Sequence, residues 1–166
     1  MSDGLHRTAP STGSSVVPVR SSFTQIVKFM GGRQIFKKSI TSKLDVHEVI
    51  LKGIPGGALI FMVKHIKTMK PADVVQAVGV SIRTVQRRTG SPQKPLSQEQ
   101  SGRAWKFAEV LTTATDVFGS QAEAEKWLST PAMALNQRRP VDLLSSPAGV
   151  EMVEQLLGRL EYGVYT

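Results

Sequence analysis

Apolar positions recur at helical intervals from Phe23 to Leu160, and glycines and prolines cut that pattern into segments. Phe23, Ile26, Val27 and Met30 fall at offsets 0, 3, 4 and 7, which predicts an amphipathic helix stopped by Gly31 and Gly32. The adjoining RQIFKKSITSK fits loop, short strand or helix equally. Val46, Val49 and Ile50 mark a short helix that Asp45 can start, and Gly53 to Gly57 breaks the chain after it. From near Ala58, the residues Leu59, Met62, Val63, Ile66 and Met69 keep the helical period. Lys64 and Lys67 lie on the outer side and Lys70 at the end, so the pattern predicts one longer helix that buttresses the next segment.

Two short helical segments then meet at Gly79 within ADVVQAVGVSIRTVQRRT, Ala72 to Thr89. Val74 and Val78 lie one turn apart, Val80 follows the glycine, and Ile82 and Val85 are three apart. One apolar face therefore continues through a tight turn, the pattern of a helix-turn-helix. Gly79 suits a left-handed turn, and Ser81 can cap the second helix through the N–H of Thr84. With Ile82 and Val85 inward, Arg83, Thr84, Arg87 and Arg88 surround the outer face and Gln86 lies nearer its edge. Arginine can hold guanine O6 and N7 or a phosphate with its planar fork, and glutamine can pair with adenine. The same residues also fit a solvated basic helix in an ordinary bundle. Val75 stands where the usual motif has a small residue, and Arg88 where it has an apolar one.

After the linker SPQKP, Ser97 and Gln100 have the form of a capping box, and Ala104, Phe107, Ala108, Leu111, Thr115 and Phe118 give a narrow apolar face over five turns. Gly119 ends it. Ser120 and Glu123 repeat the signature before a short helix anchored by Trp127 and Leu128. Ser146 and Pro147 start a last helix, with Val150, Val153, Leu157 and Leu160 at intervals of 3, 4 and 3 and Leu156 widening that face. The fold class expected is all-α, one compact chain with a helix-turn-helix domain over residues 23–94 packed with a small helical domain over 95–166. Residues 1–22, rich in Ser, Thr, Pro and Gly without apolar period, read as a disordered tail.

Charge sharpens this division. Residues 1–94 hold 15 Lys and Arg against 4 Asp and Glu, a balance of +11, while residues 95–166 hold 6 against 9, or −3. A basic first part points to a polyanion, and an acidic second part to a different partner. The chain has no cysteine, which excludes disulfides, thiolate zinc sites and cysteine nucleophiles. His47 and His65 lack a metal-ligand spacing, and no nucleophile-base-acid set or phosphate-binding glycine loop is present. Gly53 to Gly57 lacks the lysine and hydroxyl of a Walker motif. The expectation is therefore a protein that is not an enzyme, with no cofactor, no metal and no catalytic residue. No apolar run reaches the roughly 20 residues of a membrane span, and the N-terminus has no signal-peptide core, so a cytoplasmic location is expected. Met62, Met69, Trp105 and Trp127 read as packing residues.

The succession Phe118-Gly119, Ala124 to Trp127-Leu128, Pro131, Leu135, Pro140, Leu143-Leu144, Gly149, Val153, Leu157, Leu160 and Tyr162-Gly163 resembles the toxin-binding domain of the MbcA/ParS/Xre antitoxin family. Upstream, the turn at Gly53, the run Arg83-Thr84-Val85-Gln86-Arg87-Arg88 and the stretch Leu96 to Arg103 resemble the Xre-like region of that family. The chain departs from it at Gly102, where an acidic residue commonly precedes the arginine. The resemblance covers about Leu44 to Tyr165 and implies a type II antitoxin paired with a RES-domain toxin, an enzyme that acts on NAD. It implies a C-terminal domain that docks on the toxin and obstructs its nucleotide site, and a helix-turn-helix that represses the operon. A homodimer is expected, since helix-turn-helix proteins usually read paired half-sites on operator DNA.

For DNA the expected contacts are Arg83, Thr84, Gln86, Arg87 and Arg88. For the toxin they are Arg159, Tyr162, Gly163, Val164, Tyr165 and Thr166. Tyrosine joins an apolar ring to a polar tip, Gly163 allows close approach, and Thr166 bears a terminal carboxylate, so this tail suits a cleft that admits an anionic dinucleotide. The alternative is that Tyr162 simply finishes the last helix and the tail frays. The loop Asn136 to Arg139 is a second candidate for the toxin contact. A stand-alone DNA-binding regulator whose C-terminal domain only dimerises is the other reading of the whole chain.

Overall fold

The computed structural model describes residues 22–163. Except for Ser22, the tail assigned to residues 1–22 lies outside the described residues, as do Val164, Tyr165 and Thr166. Among the described residues the fold is all helical. Its helices are α1 (Phe23–Phe29), α2 (Lys43–Lys52), α3 (Gly56–His65), α4 (Pro71–Val78), α5 (Ile82–Thr89), α6 (Gln98–Phe118), α7 (Gln121–Leu128), α8 (Pro140–Leu143) and α9 (Pro147–Glu161), with single 3₁₀ turns at Gly32–Gln34 and Met133–Leu135.

Serine hydroxyls start six of these helices. Ser22, Ser42, Ser81, Ser97, Ser120 and Ser146 each accept a backbone N–H from three residues on, satisfying a donor that the first helical turn leaves unpaired. The capping box at Ser97 and Gln100 is complete. At Ser120 only half of the expected box forms, since the Glu123 N–H donates to the serine at 3.2 Å without a return bond. α2 begins earlier than Asp45: Ser42 is its cap, and the Asp45 carboxylate reaches back to the N–H of Ser42 at 2.9 Å.

α3 is shorter than its apolar period predicts. It stops at His65, and Ile66 is already extended. The cause lies 58 residues away in α7: the Glu125 carboxyl, fully buried, accepts the N–H groups of Lys67, Thr68 and Met69 at 2.8 to 3.1 Å, and Gln121 Nε2 at 2.9 Å. Those N–H groups turn toward the carboxyl and leave the helical ladder. Met69 remains buried, from a loop that leads into α4.

The 21-residue α6 is the axis of the molecule, touching α1, α2, α4, α7 and α9. Its buried face is wider than predicted, with Trp105, Val110 and Ala114 joining Ala104, Phe107, Ala108 and Leu111. Trp127 is half-buried against Phe118, ring centroids 5.3 Å apart. The core is continuous from Ile26, Met30 and Met62 through Phe107 and Leu111 to Leu128, Val153 and Leu157. The linker 92–96 is fastened to the start of α3, where Gly57 N–H donates to Pro92 O at 2.8 Å, Gly56 N–H to Lys94 O at 2.9 Å and Leu96 N–H to Ile54 O at 2.8 Å.

Candidate nucleic-acid and partner interfaces

α4 and α5 form the expected pair of short helices, joined through Gly79 in left-handed conformation at φ 84°. The turn needs glycine for a second reason. A Cβ there would collide with the guanidinium of Arg103, which arrives from α6 and donates from Nε to Ala77 O at 2.9 Å and from Nη2 to Gln76 O at 3.3 Å. Arginine thus supplies donors to the last carbonyls of α4, adding to the Gly79 N–H that already reaches Gln76 O, and sits at the negative pole of that helix. Glu99 lies 3.9 Å from its Nη1.

The other end of α4 is held by a second arginine. Arg139, just before α8, contacts Asp73 through Nη2 at 3.1 Å and Nη1 at 3.3 Å, and Asp142 through Nη2 at 2.7 Å and Nε at 2.9 Å. Asp73 is buried. Hydrogen bonds from Asp142, then Asp73, push the guanidinium pKa further up, so the charge is permanent. α4 is therefore clamped at both ends by side chains of the C-terminal half.

On α5, Val85 is buried as predicted, but Ile82 is 39% exposed, a correction to the inward position expected for it. Ile82 is the first residue of a two-turn helix and lies at its rim, so Val85 alone supplies the buried anchor. Arg83, Gln86 and Arg87 are exposed. Thr84 is half-buried, and its hydroxyl lies 3.0 Å from that of Ser81 within the cap. Arg88 turns inward: its Nη1 donates to Lys94 O at 2.9 Å and to Pro95 O at 2.7 Å. That contact explains an arginine at a position where the motif is usually apolar, because it binds the end of α5 to the linker. An open depression of about 210 Å³ lies beside it, lined by Thr84, Arg87, Arg88, Ser91 and Lys94.

At the other extremity Arg159, Tyr162 and Gly163 are exposed around the last turn of α9. Tyr162 is the helix C-cap and Gly163 turns the chain at φ 67°. The loop Asn136 to Arg139 projects on left-handed Asn136 and Gln137, at φ 53° and 62°, closed at its base by the Ala132 N–H to Arg138 O bond of 3.0 Å. Its Arg139 is engaged with Asp73, which leaves Asn136, Gln137 and Arg138 facing outward. Met133 at the base of that loop is 84% exposed and goes unmarked by the sequence, because one apolar residue in a short segment has no periodic signature. His65 stacks on Phe61 at 3.8 Å and contacts Phe61 O through Nδ1, so its ring is occupied. Among the described residues no helix is long and apolar enough to cross a membrane.

Residues 113–163 match the antitoxin Xre/MbcA/ParS C-terminal toxin-binding domain. The matched stretch opens within α6 and runs through the exposed Met133, the Asn136–Arg139 loop and Tyr162. Three curated relatives are named antitoxin Xre. That of Yersinia enterocolitica is 35% identical over 96 residues, covering 57% of this chain and 64% of the relative, just under two thirds of its length. That of Photorhabdus laumondii is 26% identical over 72% of this chain and 80% of its own. That of Pseudomonas putida is 26% identical over 75% and 76%. The chain is thus similar to proteins named antitoxin Xre, and its residues 113–163 match the toxin-binding domain of the Xre/MbcA/ParS antitoxins.

Proposed function

We propose that this chain is the antitoxin of a type II toxin-antitoxin system, a cytoplasmic binding protein without catalysis of its own. Residues 95–166 dock on a RES-domain toxin and obstruct its NAD site, while residues 23–94 bind operator DNA and repress the operon. The observation that carries this reading is the toxin-binding domain match over residues 113–163 on a chain whose other half exposes Arg83 and Arg87 on the second helix of a helix-turn-helix. The names of the relatives support the antitoxin half of the reading. The toxin surface in this reading combines Arg159, Tyr162 and Gly163 with the residues C-terminal to them, and Met133 adds an apolar anchor beside the Asn136–Arg139 loop.

On the DNA side, Arg83, Gln86 and Arg87 read base edges in the major groove, phosphate contacts supply affinity, and a homodimer engages two half-sites. Thr84 supports the cap, and Arg88 holds the helix to its linker. The test is co-purification with the RES-domain protein encoded beside it, together with binding to the duplex upstream of the pair. Capture of the toxin and a preference for that duplex are expected. A chain that binds the duplex but captures no toxin is instead a stand-alone regulator, and the antitoxin reading falls.

A further inference from the structure

The connection between α1 and α2 is the stretch the apolar pattern leaves undecided, and its order in space comes from two buried residues. Phe36 and Ile40 are each 6% exposed, so the intervening Lys37, Lys38 and Ser39 are turned outward. Ile35 lies against Gly57, where an added Cβ would stand 2.9 Å from Ile35 Cδ1 and 3.3 Å from Pro92 Cβ. The connection therefore packs beside the linker that comes after α5, and the bonds of Gly56 and Gly57 to Lys94 and Pro92 fix that linker in turn.

One depression is lined by Phe36, Lys37, Lys38, Lys52 and Gln93 among others; the next is lined by Thr84, Arg87, Ser91 and Lys94. Gln93 and Lys94 are consecutive, so the two depressions adjoin at the linker and basic residues line both, on the side of the α1–α2 connection and on the side of α5. Among the described residues neither Lys37, Lys38, Lys94 nor Arg87 forms an ion pair. Two acids border the first depression, Asp45 and Glu48. Asp45 is engaged with the N–H groups of Thr41 and Ser42 and with the Thr41 hydroxyl, which draws its oxygens toward the start of α2; it keeps its charge, so Asp45 and Glu48 stand against Lys37, Lys38 and Lys52 there.

We propose that Lys37, Lys38 and Lys94 form a track for the phosphodiester backbone of duplex DNA, flanking the helix that reads the bases. This inference rests on the DNA-binding reading above and adds a phosphate-binding site outside the helix-turn-helix. Ammonium groups on a fixed backbone suit phosphate, which they meet as point charges, and carry no sequence information. The track sets the register of α5 in the groove and adds affinity that falls with salt.

The test uses the full chain with two duplexes of equal length, the one upstream of its own reading frame and a scrambled one, and follows affinity against salt. Lys37→Ala/Lys38→Ala is expected to flatten the slope of log affinity on log salt by about 2, near 0.9 for each phosphate no longer neutralised. It weakens both duplexes by the same factor and leaves their ratio and the unfolding temperature unchanged. Arg83→Ala/Arg87→Ala, run in parallel, collapses the ratio. An unchanged slope in the lysine variant, with the ratio lost in the arginine variant, overturns the track and keeps the reading helix. A lysine variant that loses the ratio overturns it too, because those side chains then read bases. A parent chain with no preference for its own duplex overturns the track together with the DNA-binding reading beneath it.

Discussion

Glu125 makes the most consequential single contact in the molecule. Its carboxyl gathers three backbone N–H groups that have no other partner and so decides where α3 stops and how the chain enters α4. Glu125→Gln replaces an acceptor oxygen by a donor facing those N–H groups. A loss of about 1–3 kcal/mol in denaturant unfolding is expected, the usual cost of leaving buried polar groups unsatisfied. A change under about half a kcal/mol would show that the loop repairs itself. Gly79→Ala is a second case, since the new Cβ meets both a left-handed backbone and the Arg103 guanidinium. A loss of about 1–3 kcal/mol is expected there, with Arg103→Ala costing less because no strain is introduced.

None of these partnerships is legible in the sequence. Gly79 and Arg103 each stand out in it, the one as a turn and the other beside an unusual Gly102. The hydrogen bonds of Arg103 to the end of α4 and of Glu125 to the approach to α4 span 26 and 58 residues, and no local pattern encodes such a pair.

Elements are easier to read than contacts, because their signals are local. The caps read at Ser81, Ser97, Ser120 and Ser146, the glycine turn at Gly79 and the helical spacing on α1, α6 and α9 match the elements found, whereas the caps at Ser22 and Ser42 go unread. The failures have physical causes. Ile66 and Met69 continue the period of α3 because both pack inward, but they do so from the loop that Glu125 reshapes. Ile82 is apolar and still faces water because α5 is too short to bury its first turn. The cap of α5 matters for the proposed reading helix: Ser81→Ala is expected to lower stability by about 1 kcal/mol and to weaken duplex binding without changing sequence preference.

The box at the start of α2 carries a pH signature. The backbone hydrogen bond from Thr41, then that of the Ser42 side of the box, lowers the Asp45 pKa below the ordinary carboxylate value. A carboxylate depressed by folding contributes stability that is complete above its unfolded pKa of about 4 and is lost as pH falls through the folded value. Asp45→Asn is therefore expected to cost more stability at about pH 6 than at about pH 2, where protonation has begun to remove the contribution from the parent. A variant that differs equally from the parent at both values would contradict that assignment.

At the scale of the whole molecule, α6 and the two arginine clamps join the halves. Arg103 and Arg139 hold α4 from the C-terminal side, so the basic pair α4 and α5 and the matched toxin-binding stretch form one packed body with a continuous core. Arg139→Ala leaves the buried Asp73 without its guanidinium, and a loss of about 1–3 kcal/mol is expected, below the cost for a fully buried pair because Arg139 is partly exposed. The split of charge along the chain is in keeping with the two partners proposed, and the succession of residues from Phe118 to Gly163 that carries the resemblance falls within the domain match. The surface proposed to meet the toxin has no such signal, since the exposure of Met133 and its loop is defined only once the helices are packed.

The proposed antitoxin role is tested most directly by NAD consumption by the RES-domain toxin proposed as its partner, alone, with the full chain, and with a version lacking Tyr162 to Thr166, alongside capture of the toxin by each. The full chain is expected to stop NAD loss, and the shortened chain to capture the toxin still but no longer protect NAD. Equal protection by both versions would remove the tail as the obstructing element. NAD loss that continues unchanged in the presence of the full chain would contradict the antitoxin reading itself.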